Sequence, residues 1–283
     1  MAKIAAIQMA SGTNISANLI EVSRQILSAV KAGAKLVVLP ESFACMSLDD
    51  AEQITIAEKD GSGSIQDFLS EQAKKNKIWI VAGTIPLHLE KEHQDYGKKI
   101  YTSCLVYNES GERVSRYDKV HLFDVYLDAT EETYKESETM VPGKKVVVIE
   151  TPFGNIGLAI CYDIRFPEFF RQLIKQNVEV IIIPSAFTAI TGKAHWEVLL
   201  RARAIENLSY VVASAQGGYH VNGRETYGNS MIIDPWGTIL DVLPSGSGYA
   251  IADVDINKLK SIRETFPALD NRKISCTLPN ETN

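Results

Sequence analysis

The sequence contains little cysteine for its length. Only Cys45, Cys104, Cys161 and Cys276 occur among 283 residues, and no two of them form a CxxC pair. Disulfide frameworks are typically dense in cysteine, and structural zinc sites typically contain CxxC pairs. The sparse pattern therefore argues against both and predicts free thiols in a reducing, cytoplasmic compartment.

An excess of positive charge and long apolar runs are also missing. The formal net charge is -6, and basic residues neither form a long run nor alternate with aromatic ones. We therefore expect neither nucleic acid nor a membrane surface as a partner. No stretch reaches the roughly 18 apolar residues of a membrane span. The segment MAKIAAIQMA at the N-terminus does not have the pattern of a signal peptide.

Several motifs of cofactor and metal enzymes are absent. The sequence contains neither GxxxxGK[ST] nor GxGxxG, so nucleotide binding has no support. It contains no HExxH and no GxSxG, which disfavours a zinc hydrolase and a serine hydrolase. We therefore expect no cofactor and no metal.

What the sequence does contain is an alternation of strands, helices and hairpins. The spacing of apolar residues predicts helices over 15–30 and 64–75, from about Pro167, and over about 195–207. Hairpins between these elements favour sheets covered by helices on one side over a purely parallel sheet. No linker rich in Pro, Gly or Ser divides the chain, so we expect one α/β domain over 1–283.

A thiol stands at the end of one predicted strand. In GLAICYDIRFPE, the apolar run stops at Cys161 and a charged turn follows. Sites in α/β folds gather at the carboxyl ends of strands, although a cysteine in an apolar run is often inert filling. A nucleophilic thiol needs a base. Glu41 and Lys119 also follow predicted strands, and the alternative base is one of the histidines, which are His88, His93, His121, His195 and His220.

Three motifs carry a resemblance to a known family. LPESF, YDKVHLFD and GLAICYDIRFPE resemble the motifs of the nitrilase superfamily, the carbon–nitrogen hydrolases. The resemblance covers nearly the whole chain. It implies a four-layer αββα sandwich, subunits that pair as a homodimer or higher homo-oligomer, and a Glu-Lys-Cys triad at Glu41, Lys119 and Cys161.

The resemblance also implies roles for the residues around the thiol. Cys161 attacks an amide carbon to form a thioester, and Glu41 is the general base. Lys119 and the backbone N–H of Tyr162 hold the oxyanion. Glu136 matches a second glutamate near the triad. Its competitor is Glu138, and the acid-rich stretch around both is alternatively a solvated loop.

Longer segments resemble one branch of the superfamily. AFTAITGKAHWEVLLRARAIENLSYVVASAQGG and YGNSMIIDPWGTI are similar to the Nit-type amidases, which include the deaminated glutathione amidases and the omega-amidases. These enzymes act on small, anionic amides. Arg165 is a candidate for a substrate carboxylate, or else pairs with Asp163 or Glu168. Phe187 and Thr191 are expected at the pocket mouth, with Thr191 alternatively a helix cap.

Two other functions stay open at this point. A nitrilase would use the same thiol on a nitrile, although the amidase-like flanks argue against it. The chain could instead be a catalytically quiet binding or scaffold module of the same fold. The presence of Glu41, Lys119 and Cys161 together argues against the quiet module.

Overall fold

The computed structural model describes residues 1–47, 50–128 and 131–275. Its helices are α1 (Ile15–Lys31), α2 (Asp50–Thr55), α3 (Ser64–Asn76), α4 (Pro167–Lys175), α5 (Ala189–Asn207) and α6 (Ile256–Thr265). Its strands are β1 (Ala2–Gln8), β2 (Leu36–Val38), β3 (Trp79–Val81), β4 (Ile85–His88), β5 (Ile100–Tyr107), β6 (Arg113–Asp118), β7 (Asp124–Leu127), β8 (Glu132–Lys135), β9 (Val147–Thr151), β10 (Gly154–Leu158), β11 (Val180–Ser185), β12 (Tyr210–Ala215), β13 (Gly217–Tyr219), β14 (Glu225–Tyr227), β15 (Ser230–Ile233), β16 (Ile239–Leu243) and β17 (Gly248–Val254). None of the helices in this part of the chain is long and apolar enough to cross a membrane.

Most strands belong to two large sheets. The first has the order β17-β1-β2-β3-β5-β4, with β6 also paired to β5, and the second has the order β16-β15-β12-β11-β10-β9. β1, β2 and β3 are parallel, as are β10, β11 and β12. The small hairpins β7–β8 and β13–β14 form separate ribbons.

The two sheets pack face to face, and helices cover their outer faces. Alternate residues of β1 show this, because side chains on a strand point to opposite faces. Ile4 and Ala6 join the core shared with the second sheet, whereas Ala5 and Ile7 pack with α1 and α3. α4 and α5 contribute Phe170 and other apolar residues to the core of the second sheet. The predicted four-layer αββα sandwich is confirmed.

The start of α5 was predicted wrongly. The helix begins at Ala189 rather than near His195. The Thr188 side chain accepts a hydrogen bond from the Thr191 backbone N–H, which satisfies one of the free donors of the first turn. Thr191 therefore lies inside the helix, and the cap is Thr188.

The sequence pattern also failed to predict the hairpins β7–β8 and β13–β14. Their strands have three or four residues each, and six of the fourteen residues are exposed. Such short, two-sided strands give no apolar alternation that identifies a buried face. These hairpins matter because both contribute residues to the cavity described below.

Candidate active site

Strand direction brings three side chains to one end of the sandwich. β6 runs in the same direction as β2, because β3 is parallel to β2 and two antiparallel pairings lead from β3 through β5 to β6. Glu41 and Lys119 therefore follow strands that end at the same edge. A parallel bridge between Met9 and Gln216 shows that the parallel strands of the second sheet point the same way. Cys161, just beyond β10, meets the other two residues there.

Lys119 links two carboxylates in a buried cluster. Its Nζ lies 2.9 Å from Glu41 Oε1 and 2.9 Å from Glu136 Oε1. Glu136 is held in turn by the Phe123 backbone N–H, which donates to Oε2 at 2.8 Å. An ammonium has three N–H bonds, and two of them are used within the described part of the chain.

Cys161 sits on a strained turn. Its φ is +45°, a left-handed conformation that costs energy for a residue with a side chain. It opens a single 3-10 turn over Cys161–Arg165, directly after the extended residue Ile160. The Ala186 backbone N–H and the Glu41 carboxylate are both close enough to the thiol to change its pKa. The turn therefore aims the sulfur at the base and at the end of β11.

Burial and neighbouring charges set the protonation of this cluster. Burial and the Glu41 charge raise the pKa of the Cys161 thiol, so the resting thiol is protonated. Burial acts to raise the pKa of Glu41 as well, but the charge and hydrogen bond of Lys119 outweigh it and lower that pKa. Although burial disfavours the ammonium, Glu136 and Glu41 raise the pKa of Lys119 well above its usual value. Burial and the Glu41 charge raise the pKa of Glu136.

These directions define what the cluster can do. The thiol is protonated at rest, and an ionised carboxylate beside it is in place to accept its proton when the thiolate forms. Transfer of the proton in the resting state is uphill, because the thiol pKa is raised and the carboxylate pKa is lowered. Bond formation between sulfur and an electrophilic carbon can drive that transfer.

A fully buried carboxylate, Asp163, connects the thiol turn to the lysine segment. Its Oδ2 accepts from the Ile160 backbone N–H at 2.8 Å and from the Tyr117 hydroxyl at 2.6 Å. Its Oδ1 contacts the backbone N–H and Nδ1 of His121 at 3.1 and 2.7 Å. One side chain thus fixes the residue before Cys161 and residues on both sides of Lys119. Sequence reasoning considered Asp163 only as a partner for Arg165 and missed this contact set.

A cavity of about 530 Å³ opens over the cluster. The site residues predicted from the sequence all line it, and they are Glu41, Lys119, Glu136, Cys161, Tyr162, Arg165, Phe187 and Thr191. Their proximity is therefore a finding, whereas their roles stay predictions. Cys45 lines the cavity as well, and Cys104 is buried elsewhere. Both are free thiols, like Cys161. Cys276 lies outside the described residues.

The structure distinguishes several alternatives left open by the sequence. Glu136 rather than Glu138 contacts Lys119, while Glu138 is exposed and pairs with Lys135. Arg165 forms no ion pair with Asp163 or Glu168 among the described residues. Its guanidinium instead lies over the rings of Phe187 and Tyr162, at 5.2 and 5.8 Å from their centroids.

Sequence reasoning missed the part of the cavity wall that comes from the hairpins. Tyr134 of β8 and Arg224, which precedes β14, both line the cavity, and the Arg224 guanidinium lies 5.1 Å from the Tyr134 ring centroid. Phe123 packs against Tyr134 and Tyr162, with ring centroids 5.0 Å apart in each pair. The only indication in the sequence was that Arg224 lies just before the YGNSMIIDPWG segment, which resembles the Nit-type amidases.

The described ranges contain neither a histidine that contacts the thiol nor a cluster of metal ligands. No group of three His, Cys, Asp or Glu side chains there could hold a metal ion. His121 contacts Asp163 and His195 contacts Arg165, and neither contacts the thiol. The basic group beside Cys161 is therefore the Glu41 carboxylate and not a histidine.

Comparison with known proteins agrees with this geometry. The carbon-nitrogen hydrolase family model matches residues 3–264. A Synechocystis protein named deaminated glutathione amidase is 43% identical over 270 residues, which is 95% of this chain and 97% of that protein. Among solved structures, Saccharomyces cerevisiae Nit3, a member of branch 10 of the nitrilase superfamily, superposes with a TM-score of 0.84 at 33% identity, over 96% of this chain and 97% of that chain. The C. elegans NitFhit protein gives 0.88 at 35% identity, over 96% of this chain and 66% of that longer chain.

The chain belongs to the carbon–nitrogen hydrolase family of the nitrilase superfamily. Its enzyme class is that of the amidases, which hydrolyse carbon–nitrogen bonds other than peptide bonds.

Proposed function

We propose that this enzyme hydrolyses the amide bond of deaminated glutathione through a thioester on Cys161. The observation that carries the proposal is the buried cluster in which Glu41 accepts a hydrogen bond from Lys119 and interacts with the Cys161 thiol. The relatives named deaminated glutathione amidase supply the substrate. In that compound, the glutamate amino group of glutathione is replaced by a keto group.

In the first half-reaction, Cys161 Sγ attacks the amide carbon while its proton passes to Glu41. The carbonyl π electrons move to oxygen, and the resulting oxyanion is held by Lys119 and the backbone N–H of Tyr162. When the intermediate collapses, the carbon–nitrogen bond breaks and Glu41 returns the proton to the leaving amine. The products are free cysteinylglycine and a thioester of the keto acid half.

In the second half-reaction, water hydrolyses the thioester. Glu41 takes a proton from water as its oxygen attacks the acyl carbon, and Lys119 and Tyr162 N–H again hold the oxyanion. The carbon–sulfur bond then breaks and Glu41 returns its proton to the departing sulfur. α-Ketoglutarate leaves, and the protonated thiol and ionised carboxylate of the resting state are restored.

Glu136 acts through Lys119 in this proposal. With a negative charge on each side, the ammonium stays protonated and its third N–H bond points to the reacting oxygen. Glu136 is therefore a positioning residue rather than a proton carrier. Arg165 supplies a cation for a substrate carboxylate, with Phe187 and Thr191 beside it at the cavity mouth.

We also propose that the enzyme is a homodimer or a higher homo-oligomer. α5 exposes Ile190, Val198 and Ile205, which lie on one side of the helix at spacings close to two turns. Burial of such a stripe against a second copy would remove apolar surface from water. Light scattering on the purified chain tests this, with a monomer mass as the contradicting result.

The direct test is a substrate panel with wild type and Cys161→Ala. α-Ketoglutarate is measured with deaminated glutathione and with α-ketoglutaramate, and ammonia with glutamine and one aliphatic nitrile. We expect strong turnover of deaminated glutathione that is lost in the variant. A preference for α-ketoglutaramate would indicate an omega-amidase, and turnover of the nitrile alone a nitrilase. No turnover, together with a thiol at Cys161 no more reactive than that of Cys104, would indicate the quiet module.

A further inference from the structure

Two guanidinium groups of the cavity have no acidic partner among the described residues. Arg165 and Arg224 both line the cavity, and neither takes part in an ion pair there. Several arginines elsewhere pair with carboxylates, as Arg116 does with Asp118 at 2.8 Å and Arg203 with Glu206 at 2.8 Å. The cavity thus contains two guanidinium groups that no carboxylate in the described ranges pairs.

Arg224 is held close to the thiol by one residue. Its Nη2 donates to the Ala186 carbonyl at 2.6 Å, and the backbone N–H of the same residue interacts with the Cys161 sulfur. The Tyr134 ring lies against the guanidinium. The charge of Arg224 also contributes to the lowered pKa of Glu41, which is consistent with a position beside the reacting groups.

The guanidinium of Arg224 is incompletely satisfied. Its Nε is buried and has no hydrogen-bond partner. A buried donor without an acceptor is unfavourable, and so is a poorly solvated charge without a counterion. A carboxylate is the ligand that matches a guanidinium in both charge and shape.

We propose that Arg224 binds a second substrate carboxylate, so that the cavity takes amides with a carboxylate on each side of the scissile bond. Arg165 binds the other carboxylate. This inference rests on the proposed function and deepens it. Deaminated glutathione has a keto acid carboxylate in its acyl half and a glycine carboxylate in its leaving half, whereas α-ketoglutaramate has only the first. Two unpaired guanidinium groups therefore favour the larger substrate.

The test neutralises one end of the substrate at a time. One substrate is deaminated glutathione. In the first analogue, a carboxamide replaces the glycine carboxylate, so that the leaving half has no carboxylate. In the second, 4-oxopentanoyl-cysteinylglycine, a methyl group replaces the keto acid carboxylate. The enzymes are wild type, Arg224→Met, Arg165→Met and the control Arg171→Met. Arg171 lies outside the cavity, and its guanidinium donates to the Glu206 carbonyl at 2.7 Å, as that of Arg224 does to Ala186.

The readout is the ratio of kcat/KM between deaminated glutathione and each analogue within one variant. This ratio is unaffected by any loss of folded protein or by a change in Glu41. Wild type and Arg171→Met should prefer deaminated glutathione about 10- to 100-fold over each analogue, as expected for hydrogen bonds to charged groups. Arg224→Met should lose that preference at one end only, and Arg165→Met at the other.

The outcomes separate the inference from the proposed function. If wild type does not release α-ketoglutarate from deaminated glutathione, the proposed function fails and the inference fails with it. If wild type cleaves deaminated glutathione and Arg224→Met lowers kcat/KM for the three substrates equally, the function stands and the second carboxylate site is overturned. The second carboxylate site would also be overturned if both arginine variants lost their preference for deaminated glutathione over the same analogue.

Discussion

The floor and the wall of the cavity are built differently. The cavity floor, which consists of Glu41, Lys119 and Cys161, is 5%, 1% and 8% exposed and follows strands of the two large sheets. The cavity wall, which consists of Tyr134, Arg165 and Arg224, is half-buried and comes from a turn and two small hairpins. Charged hydrogen bonds fix the floor, whereas ring contacts hold much of the wall.

This difference suggests a division of labour. Groups that change protonation during a reaction must be held rigidly and away from water, because their interactions strengthen in a low dielectric. Groups that select a substrate need only match its shape and charge. Changes to the floor should therefore affect kcat by orders of magnitude, and changes to the wall should affect KM and the choice of substrate.

The largest effect is expected from Glu41→Gln. Loss of the general base should lower kcat about 10²- to 10⁴-fold. The same change removes the negative charge that raises the pKa of Cys161, so alkylation of Cys161 by iodoacetamide at mildly alkaline pH should become faster. Turnover and alkylation are measured on the same preparation, with peptide mapping to separate Cys161 from Cys45. A parallel fall of both rates would contradict the assigned protonation state.

Glu41 should also contribute to the pH dependence of stability. Its pKa in the folded enzyme lies below the ordinary value of 4.5, so its ionisation stabilises the fold above pH 4.5. This contribution is lost as the pH falls through the lowered pKa. Urea unfolding of wild type and Glu41→Gln should give a difference in free energy of unfolding that changes only on this acid side. A difference that changes instead around neutral pH would contradict the lowered pKa.

An intermediate effect is expected from Asp163→Asn. The amide keeps one acceptor oxygen and replaces the other with an NH2 donor, so it cannot accept all the hydrogen bonds that surround the carboxylate, and the Cys161 turn should shift relative to Lys119. A shift of about 1 Å can cost about 10²-fold in kcat. Asp234→Asn is the matched control, because Asp234 is also buried and also accepts backbone N–H groups, those of Trp236 and Thr238 at 2.9 Å each.

Both aspartate variants should lose about 1–3 kcal/mol of stability, as expected for an incompletely satisfied buried group. Only Asp163→Asn should lower kcat and slow the alkylation of Cys161 in the protein that is still folded. An equal effect of the two variants on kcat would mean that Asp163 supports the fold and not the geometry of the floor.

The smallest effect is expected at the wall, from Tyr134→Leu. Loss of the ring beneath Arg224 should remove a contact typically worth about 0.5–1 kcal/mol and raise KM for deaminated glutathione about 2- to 5-fold, with little change in kcat. Steady-state kinetics measures both constants. A fall of kcat larger than the rise of KM would place Tyr134 with the floor rather than the wall.

The floor could be predicted from the sequence because each of its residues stands at or just beyond the end of a strand, and for Glu41 and Cys161 that strand is a short, buried apolar run. Strand polarity then brings Glu41 and Lys119 to one edge. The hairpin part of the wall could not be predicted in the same way, since Arg224 is 38 residues away from Ala186 in the sequence and reaches it from a hairpin with no apolar alternation. The contacts of Asp163 were also hidden, because they depend on the positive φ and tight turn at Cys161.

The central claim is that Cys161 carries the acyl group. It is tested most directly by mass spectrometry of the enzyme quenched with acid during turnover of deaminated glutathione. We expect an adduct with the mass of the α-ketoglutaryl group, mapped to the Cys161 peptide and absent from Cys161→Ala, which should also show no turnover. Turnover without an adduct on this peptide, together with activity in Cys161→Ala, would contradict the thioester mechanism.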